Sequence, residues 1–237
     1  LFAGASLAIL ALAACSPAPA PEAAAPTIAA AEITAPAPIT IAAPAGDYAV
    51  DPTHASVEFK LHHVGLSYYG LKFRTYDATV SFDPANIAAS KVSATIKAAD
   101  ILAGYPADYV ANHPGTKFKS WEDDLANSTN FLDAKQFPTI TFVSTSVEPS
   151  GERSAKVTGD LTLKGVTKPV VIEASLVGAG KSARGAPMIG FTGVMKFKRS
   201  DFGFTFGGSI GNDVEVVVDG EFSIPQPAAP AGAAPAR

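Results

Sequence analysis

Histidine is the residue type best suited to bind a metal or move a proton near neutral pH, and this chain has four: His54, His62, His63 and His113. His62 and His63 are adjacent in the alternating string HASVEFKLHH. Extended backbone sends neighbours to opposite faces, so the two cannot share one ion. His54 has the parity of His62 and meets it only if the strand bends, so no metal site is expected. His63 lies on the apolar parity. Two readings of it stay open, a hydrogen-bonded interior histidine or a donor to the head group of a bound ligand. Nucleophilic chemistry has less support, because no Gly-x-Ser-x-Gly elbow occurs and the only thiol is Cys15. Carboxylates are scattered over strands and turns as on a solvated face, and no glycine-rich loop leads from a strand into a helix to hold phosphate. No catalytic residue is assigned.

Cys15 has a different chemistry. It follows LFAGASLAILALAA, fourteen uncharged residues that match the apolar core of an export signal. Leu12-Ala13-Ala14-Cys15 resembles the bacterial lipoprotein signal, in which the cysteine is acylated after cleavage. No basic residue or initiator Met precedes Leu1, so residues 1–14 are read as an N-terminally incomplete signal peptide. Acyl chains anchor through about 0.8 kcal/mol per buried CH₂ without any spanning helix. Ser16, rather than Asp, points to a periplasmic protein held at the outer membrane. Residues 15–46 are an Ala/Pro-rich linker whose prolines favour an extended spacer, and residues 225–237 repeat that composition as a tail expected to be disordered.

The elements that position these residues occupy 47–224. This stretch carries 17 of the 18 Lys/Arg and 20 of the 22 Asp/Glu, and its dominant period is two, the signature of strands. Eight strands are expected, at 54–63, 71–84, 91–100, 138–148, 155–164, 169–177, 188–199 and 213–224. In 71–84 the apolar parity changes between Phe73 and Tyr76, which predicts a bulge. Short turns such as Lys164-Gly165 imply antiparallel neighbours, and closure into a barrel removes exposed edges. A sandwich with a filled core is the alternative. Between strands 3 and 4 lies an insertion, 101–137, with helix-forming FKSWEDDLAN and Trp121 and Leu125 at i,i+4. Phe59, Leu61, Phe73, Ile140, Phe142, Ile189, Phe191, Phe197 and Phe222 would face inward, to fill a core or line a tunnel; parity does not separate these. Phe202, Phe204 and Phe206 alternate in a glycine-rich segment, where one face could cover the mouth.

A net charge of −4 and the lack of a clustered basic face argue against nucleic acid as a partner. Four strings then appear in a familiar order: YAVDPTHASVEFKLHHVG, FLDAKQFPTITFVSTSVE, VTGDLTLKGVTKPVVIEA and FKRSDFGF. With them the domain resembles the YceI-like family of exported bacterial proteins. The resemblance implies an all-β, eight-stranded, antiparallel lipocalin-like barrel that binds a polyisoprenoid chain, and it favours the tunnel. On that basis Phe131, Phe202 and His63 join the inward list as ligand-binding residues. No cofactor is required beyond the bound lipid, an isoprenoid quinone or polyprenyl phosphate carried or buffered in the cell envelope. A prenyl chain offers at most about 4 kcal/mol of transfer energy per five-carbon unit. Other readings are an enzyme acting on such a lipid through His54 or His63, and a filled-barrel interaction module; a homodimer is compatible with either. WEDDLANSTNF departs from the family wording, placing Glu122, Asp123 and Asp124 where a basic residue and a histidine are usual.

Acylation at Cys15 gives the first expected outcome. Full-length chain partitions into detergent, whereas Cys15→Ser yields a soluble or unprocessed form. Equal solubility of both after normal processing would remove the anchor and leave the barrel untouched.

Overall fold

The computed structural model describes residues 43–226. The expected signal peptide, Cys15, most of the linker and the tail from residue 227 lie outside the described residues. Among the described residues ten strands form one antiparallel sheet. They are β1 (Gly46–His63), β2 (Ser67–Phe73), β3 (Asp77–Phe82), β4 (Lys91–Lys97), β5 (Ile101–Leu102), β6 (Thr139–Pro149), β7 (Ser154–Leu163), β8 (Val166–Lys181), β9 (Pro187–Lys198) and β10 (Ile210–Ser223). The sheet closes because β1 pairs with β10, Val57 opposite Val218 and Leu61 opposite Val214. The ring has eight staves rather than ten. β2 and β3 lie end to end on the same edge of β1, and β4 and β5 continue each other in the same way, β4 on β3 and β5 on β2. The two interruptions lie side by side, joined by the Arg74 N–H donating to the Asp100 carbonyl (2.9 Å). This is the closed eight-stranded barrel expected from the alternation. The insertion between the third and fourth staves contains two short helices, α1 (Tyr109–Asn112) and α2 (Trp121–Asn127).

The parity change between Phe73 and Tyr76 is real, but the surplus residues are not where a bulge in 71–84 would put them. From Ala49 (opposite Thr79) to Val57 (opposite Phe73), β1 advances eight residues while its neighbour advances six. On its other edge β1 advances five residues, Val50 to Ala55, while β10 advances two. The extra backbone is therefore in β1, at Asp51-Pro52-Thr53-His54. Pro52 has no N–H to offer a ladder, so it fits this excursion. Asp51 Oδ1 accepts from Thr53 N and Oγ1 (2.9 and 2.6 Å) and holds the turn.

Beside the excursion, Tyr76 reaches β10. Its hydroxyl passes over β1 and donates to the Asp219 carbonyl (2.9 Å). The ring is 3% exposed, and burial, then the charge of Asp219, push its pKa up to about 12. Gly220 makes this reach feasible: a Cβ there would stand 2.3 Å from the Tyr76 oxygen. At the opposite end of the barrel, Lys164 (φ 51) and Gly165 (φ 76) form the tight turn between β7 and β8, as expected. Two left-handed residues in succession match the strand twist of a two-residue hairpin.

Tyr76→Phe removes the hydrogen bond to the Asp219 carbonyl and costs about 0.5 to 1.5 kcal/mol. Gly220→Ala overpacks against the hydroxyl at a comparable cost. Urea midpoints of both variants and of the double variant give the check. Because removing the hydroxyl relieves the clash, the two effects add to less than their sum; strict additivity would remove the proposed contact.

Candidate functional site

Closure with alternating apolar residues leaves space along the barrel axis. A large cavity of about 710 Å³ occupies the end that carries the β1–β2 hairpin, the insertion and the β9–β10 loop. β1 contributes Val57, Phe59, Leu61 and His63, every second residue, and β10 answers with Val214, Val216 and Val218. β6 adds Ile140 and Phe142, β7 Leu161 and Leu163, β9 Met195 and Phe197. The ring of Phe142 lies against Gly159, where a Cβ would meet it at 2.4 Å. A glycine on β7 thus lets a phenyl group lie flat on the wall.

The mouth is built differently. Tyr69, Tyr105, Tyr109, His113, Phe118 and Trp121 line it, and the rings of Tyr105, Tyr109, His113 and Trp121 form a connected cluster. Tyr109 stacks on His113 at 4.2 Å between centroids and on Trp121 at 5.7 Å. Trp121 Nε1 donates to the Tyr69 hydroxyl (2.9 Å), tying α2 to β2. The Tyr109 hydroxyl donates to Asp124. Burial first, then this carboxylate, push the Tyr109 pKa up to about 12. Beside the mouth, Leu66 and Tyr68 of the β1–β2 hairpin are exposed to 87% and 62%.

The three acids of WEDDLAN each have a structural partner. Glu122 accepts from the Ala103 and Gly104 N–H groups (3.2 Å each); burial raises its pKa, but hydrogen bonds from its own N–H, Ala103, Ser120 and Gly104 together outweigh it and the net shift is downward. Asp123 accepts from Lys119 N (2.9 Å) and Asn127 Nδ2 (2.8 Å), and Ser120 caps the helix. The departure from the family wording therefore supplies anchors for α2 and the insertion, all three within the favourable first turn.

Arg199, from FKRSDFGF, lines the cavity but spends its guanidinium on the backbone. It donates to the carbonyls of Gly211, Ile210, Phe206 and Gly207 at 2.7–3.2 Å and more weakly to Phe204 at 3.4 Å. These bonds fold the glycine-rich segment back onto β10, so Phe204 and Phe206 reach the cavity.

Of the ligand residues expected from sequence, Phe59, Leu61, His63, Phe73, Phe131, Ile140, Phe142 and Phe197 line the large cavity. Four do not. Phe191 and Phe222 line a smaller cavity of about 160 Å³ nearer the other end and pack edge-on against each other at 6.1 Å. Ile189, 1% exposed, fills the core beyond them, and Phe202, also 1% exposed, packs against Phe197 at 5.1 Å. Phe202 ends a 3-10 turn (Arg199–Phe202), so the strand parity extrapolated through it does not apply. Tyr105, Tyr109, His113, Trp121 and Arg199 escaped that reading because strand alternation does not extend through the insertion or the 3-10 turn. His62 points outward and stacks on Tyr68 (4.3 Å), as alternation requires. His54 lines neither cavity and pairs with Asp51 (2.9 Å) on the outside. Among the described residues no cluster of three or more His, Cys, Asp or Glu could hold a metal ion.

Comparison with known proteins adds a family to this geometry. A family model described as YceI-like domain matches residues 48–222. A UPF0312 protein of Vibrio cholerae is 38% identical over 185 residues, covering 77% of this chain and 90% of that protein. Among solved structures, BcnA of Burkholderia cenocepacia superposes with a TM-score of 0.61 at 25% identity, covering 73% of this chain and 98% of its own. A polyisoprenoid binding domain from Saccharophagus degradans has a TM-score of 0.56 at 13% identity, covering 75% and 98%, a likeness of fold.

The His54–Asp51 pair gives a pH prediction. The Asp51 hydrogen bond and charge, then Glu221, raise His54 above 6.5, while hydrogen bonds from Thr53 and His54 hold Asp51 at about 2. Whatever the pair contributes is complete below the unfolded His value of 6.5 and is lost as pH rises through the folded one. On the acid side it is lost between 3.8 and about 2. In an NMR titration, Asp51→Asn returns His54 toward 6.5; an unmoved titration would mean the pair does not form.

Proposed function

The chain belongs to the YceI-like family, and on that premise we propose that its barrel holds a polyisoprenoid lipid by the chain, as a carrier or buffer in the bacterial cell envelope. The carrying observation is the apolar cavity of about 710 Å³, within the range of sites that enclose small ligands. A filled-barrel module would have no such space. An apolar cavity of about 150 Å³ takes one benzene, so about 25 Å³ serves each carbon and this cavity takes on the order of 28 carbons. The Saccharophagus degradans domain, described as polyisoprenoid binding, supports the reading only through its fold.

The mouth favours an uncharged head such as a quinone over a polyprenyl phosphate. The guanidinium of Arg199 is committed to carbonyls, and Asp124 on the same wall repels anions. Tyrosine and histidine groups offer hydrogen bonds to carbonyl oxygens instead. This is a binding role and not an enzymatic one, with His63 at the rim as a head-group donor and no cofactor besides the lipid. An acyl anchor at Cys15 would keep the barrel at the periplasmic face of the outer membrane, within reach of membrane-dissolved lipids.

Purified full-length chain, extracted with organic solvent and read by mass spectrometry, yields an apolar lipid or takes up added prenyl quinone. Met195→Trp, inside the large cavity, abolishes uptake while the urea midpoint moves by less than about 1 kcal/mol equivalent, since a cavity has room that a packed core lacks. Glu173→Trp, on the outer face of β8, changes neither. No lipid and no uptake in the parent chain would overturn the carrier reading.

A further inference from the structure

Two residues line both cavities, Ile172 on β8 and Val218 on β10. Between them on β9 is Gly193, paired directly with Val218. The side chain of Ile172 leans over that glycine: a Gly193 Cβ would stand 2.7 Å from Ile172 Cγ2. Across three neighbouring strands the inner wall thus carries two β-branched side chains drawn together over a gap. Such side chains are stiff about χ1, so they form a ridge rather than a flexible flap. On one side of it lies the large cavity, on the other the chamber of about 160 Å³.

The far end of the small chamber is lined by the β6–β7 turn. Arg153, in the β6–β7 turn, donates from Nε and Nη2 to the Leu176 carbonyl on β8 (3.0 and 2.7 Å). Its walls are apolar, with Phe82, Phe191 and Phe222 in edge contact. It therefore suits only a hydrocarbon end, and the ridge guards the way to it.

We propose that the Ile172–Val218 ridge is a chain-length stop, ending the ligand's isoprenoid tail in the large cavity and reserving the small chamber as an extension. This rests on the lipid-binding reading above. By the same measure of about 25 Å³ per carbon, the large cavity takes a six-carbon head ring with about four isoprene units, and the small chamber takes about one unit more. The stop makes Ile172 and Val218 the residues that set which chain lengths bind best.

The test uses full-length chain and a series of prenyl quinones that differ only in the number of isoprene units, with affinity read from quenching of Trp121, the single tryptophan, which lines the large cavity. Affinity rises by about tenfold per unit up to about four units, then changes by less than about twofold per further unit. In Ile172→Ala the break moves up by about one to two units. Val218→Ala moves it in the same direction and keeps the inference testable if the first variant does not fold. Adding Phe191→Trp to Ile172→Ala fills the small chamber and restores the original break, read by calorimetry because of the second tryptophan. A break that stays put in both single variants, or affinity that climbs without a break through eight units, would overturn the stop while leaving lipid binding intact. Failure of every chain length to bind would overturn the carrier reading and the stop with it.

Discussion

The structure depends on one constraint, that β1 must satisfy hydrogen-bonding edges on both sides at once. It pairs with β10 along one edge and with β2 and β3 in succession along the other. A curved, closed sheet cannot keep a single register over a strand of 18 residues, and the mismatch is absorbed as extra backbone at Asp51–His54. The interruption at 74–76, the parity change and the reach of Tyr76 to Asp219 accompany it. The seam is also held outside, where Glu215 on β10 accepts from Lys60 on β1 (2.7 Å) and Lys196 on β9 (2.9 Å). Hydrogen bonds from these two lysines bring the Glu215 pKa down to about 2. Exposed pairs contribute little each, so this seam is carried by the ladder and its interior residues.

Closure also divides the interior into zones. Strand residues line its length with Val, Leu, Ile and Phe, which offer an isoprenoid chain no polar competitor. At the large cavity's mouth, tyrosine, histidine and tryptophan enter from α1, α2, the segment before them and the ends of β1 and β2. Their polar tips find partners, Tyr69 for Trp121 and Asp124 for Tyr109, which fixes the rings as a rigid rim. The acids that distinguish this helix from the family wording tie the rim to the chain leading into it. A site with an apolar body and a polar, aromatic mouth suits a ligand with the same division.

What the residues alone determined was the face each strand turns inward, since alternation is a local property of extended backbone. Hence the closed eight-stranded architecture, the insertion, the Lys164-Gly165 turn, the separation of His62 from His63 and the inward setting of eight residues that line the large cavity were legible in the chain. Tertiary structure decided what inward means. Ile189, Phe191, Phe197 and Phe222 share the interior, yet only Phe197 meets the large cavity, because Phe191 and Phe222 lie beyond the Ile172–Val218 ridge and Ile189 has no free space beside it. Phe202 left the pattern when its backbone turned 3-10. The mouth residues share no common pattern, since Tyr109 and Trp121 stand on two short helices and Arg199 on a 3-10 turn, brought together from separate parts of the chain. Position along the barrel axis depends on strand stagger and on side chains from distant strands, and a periodicity within one strand carries no record of either.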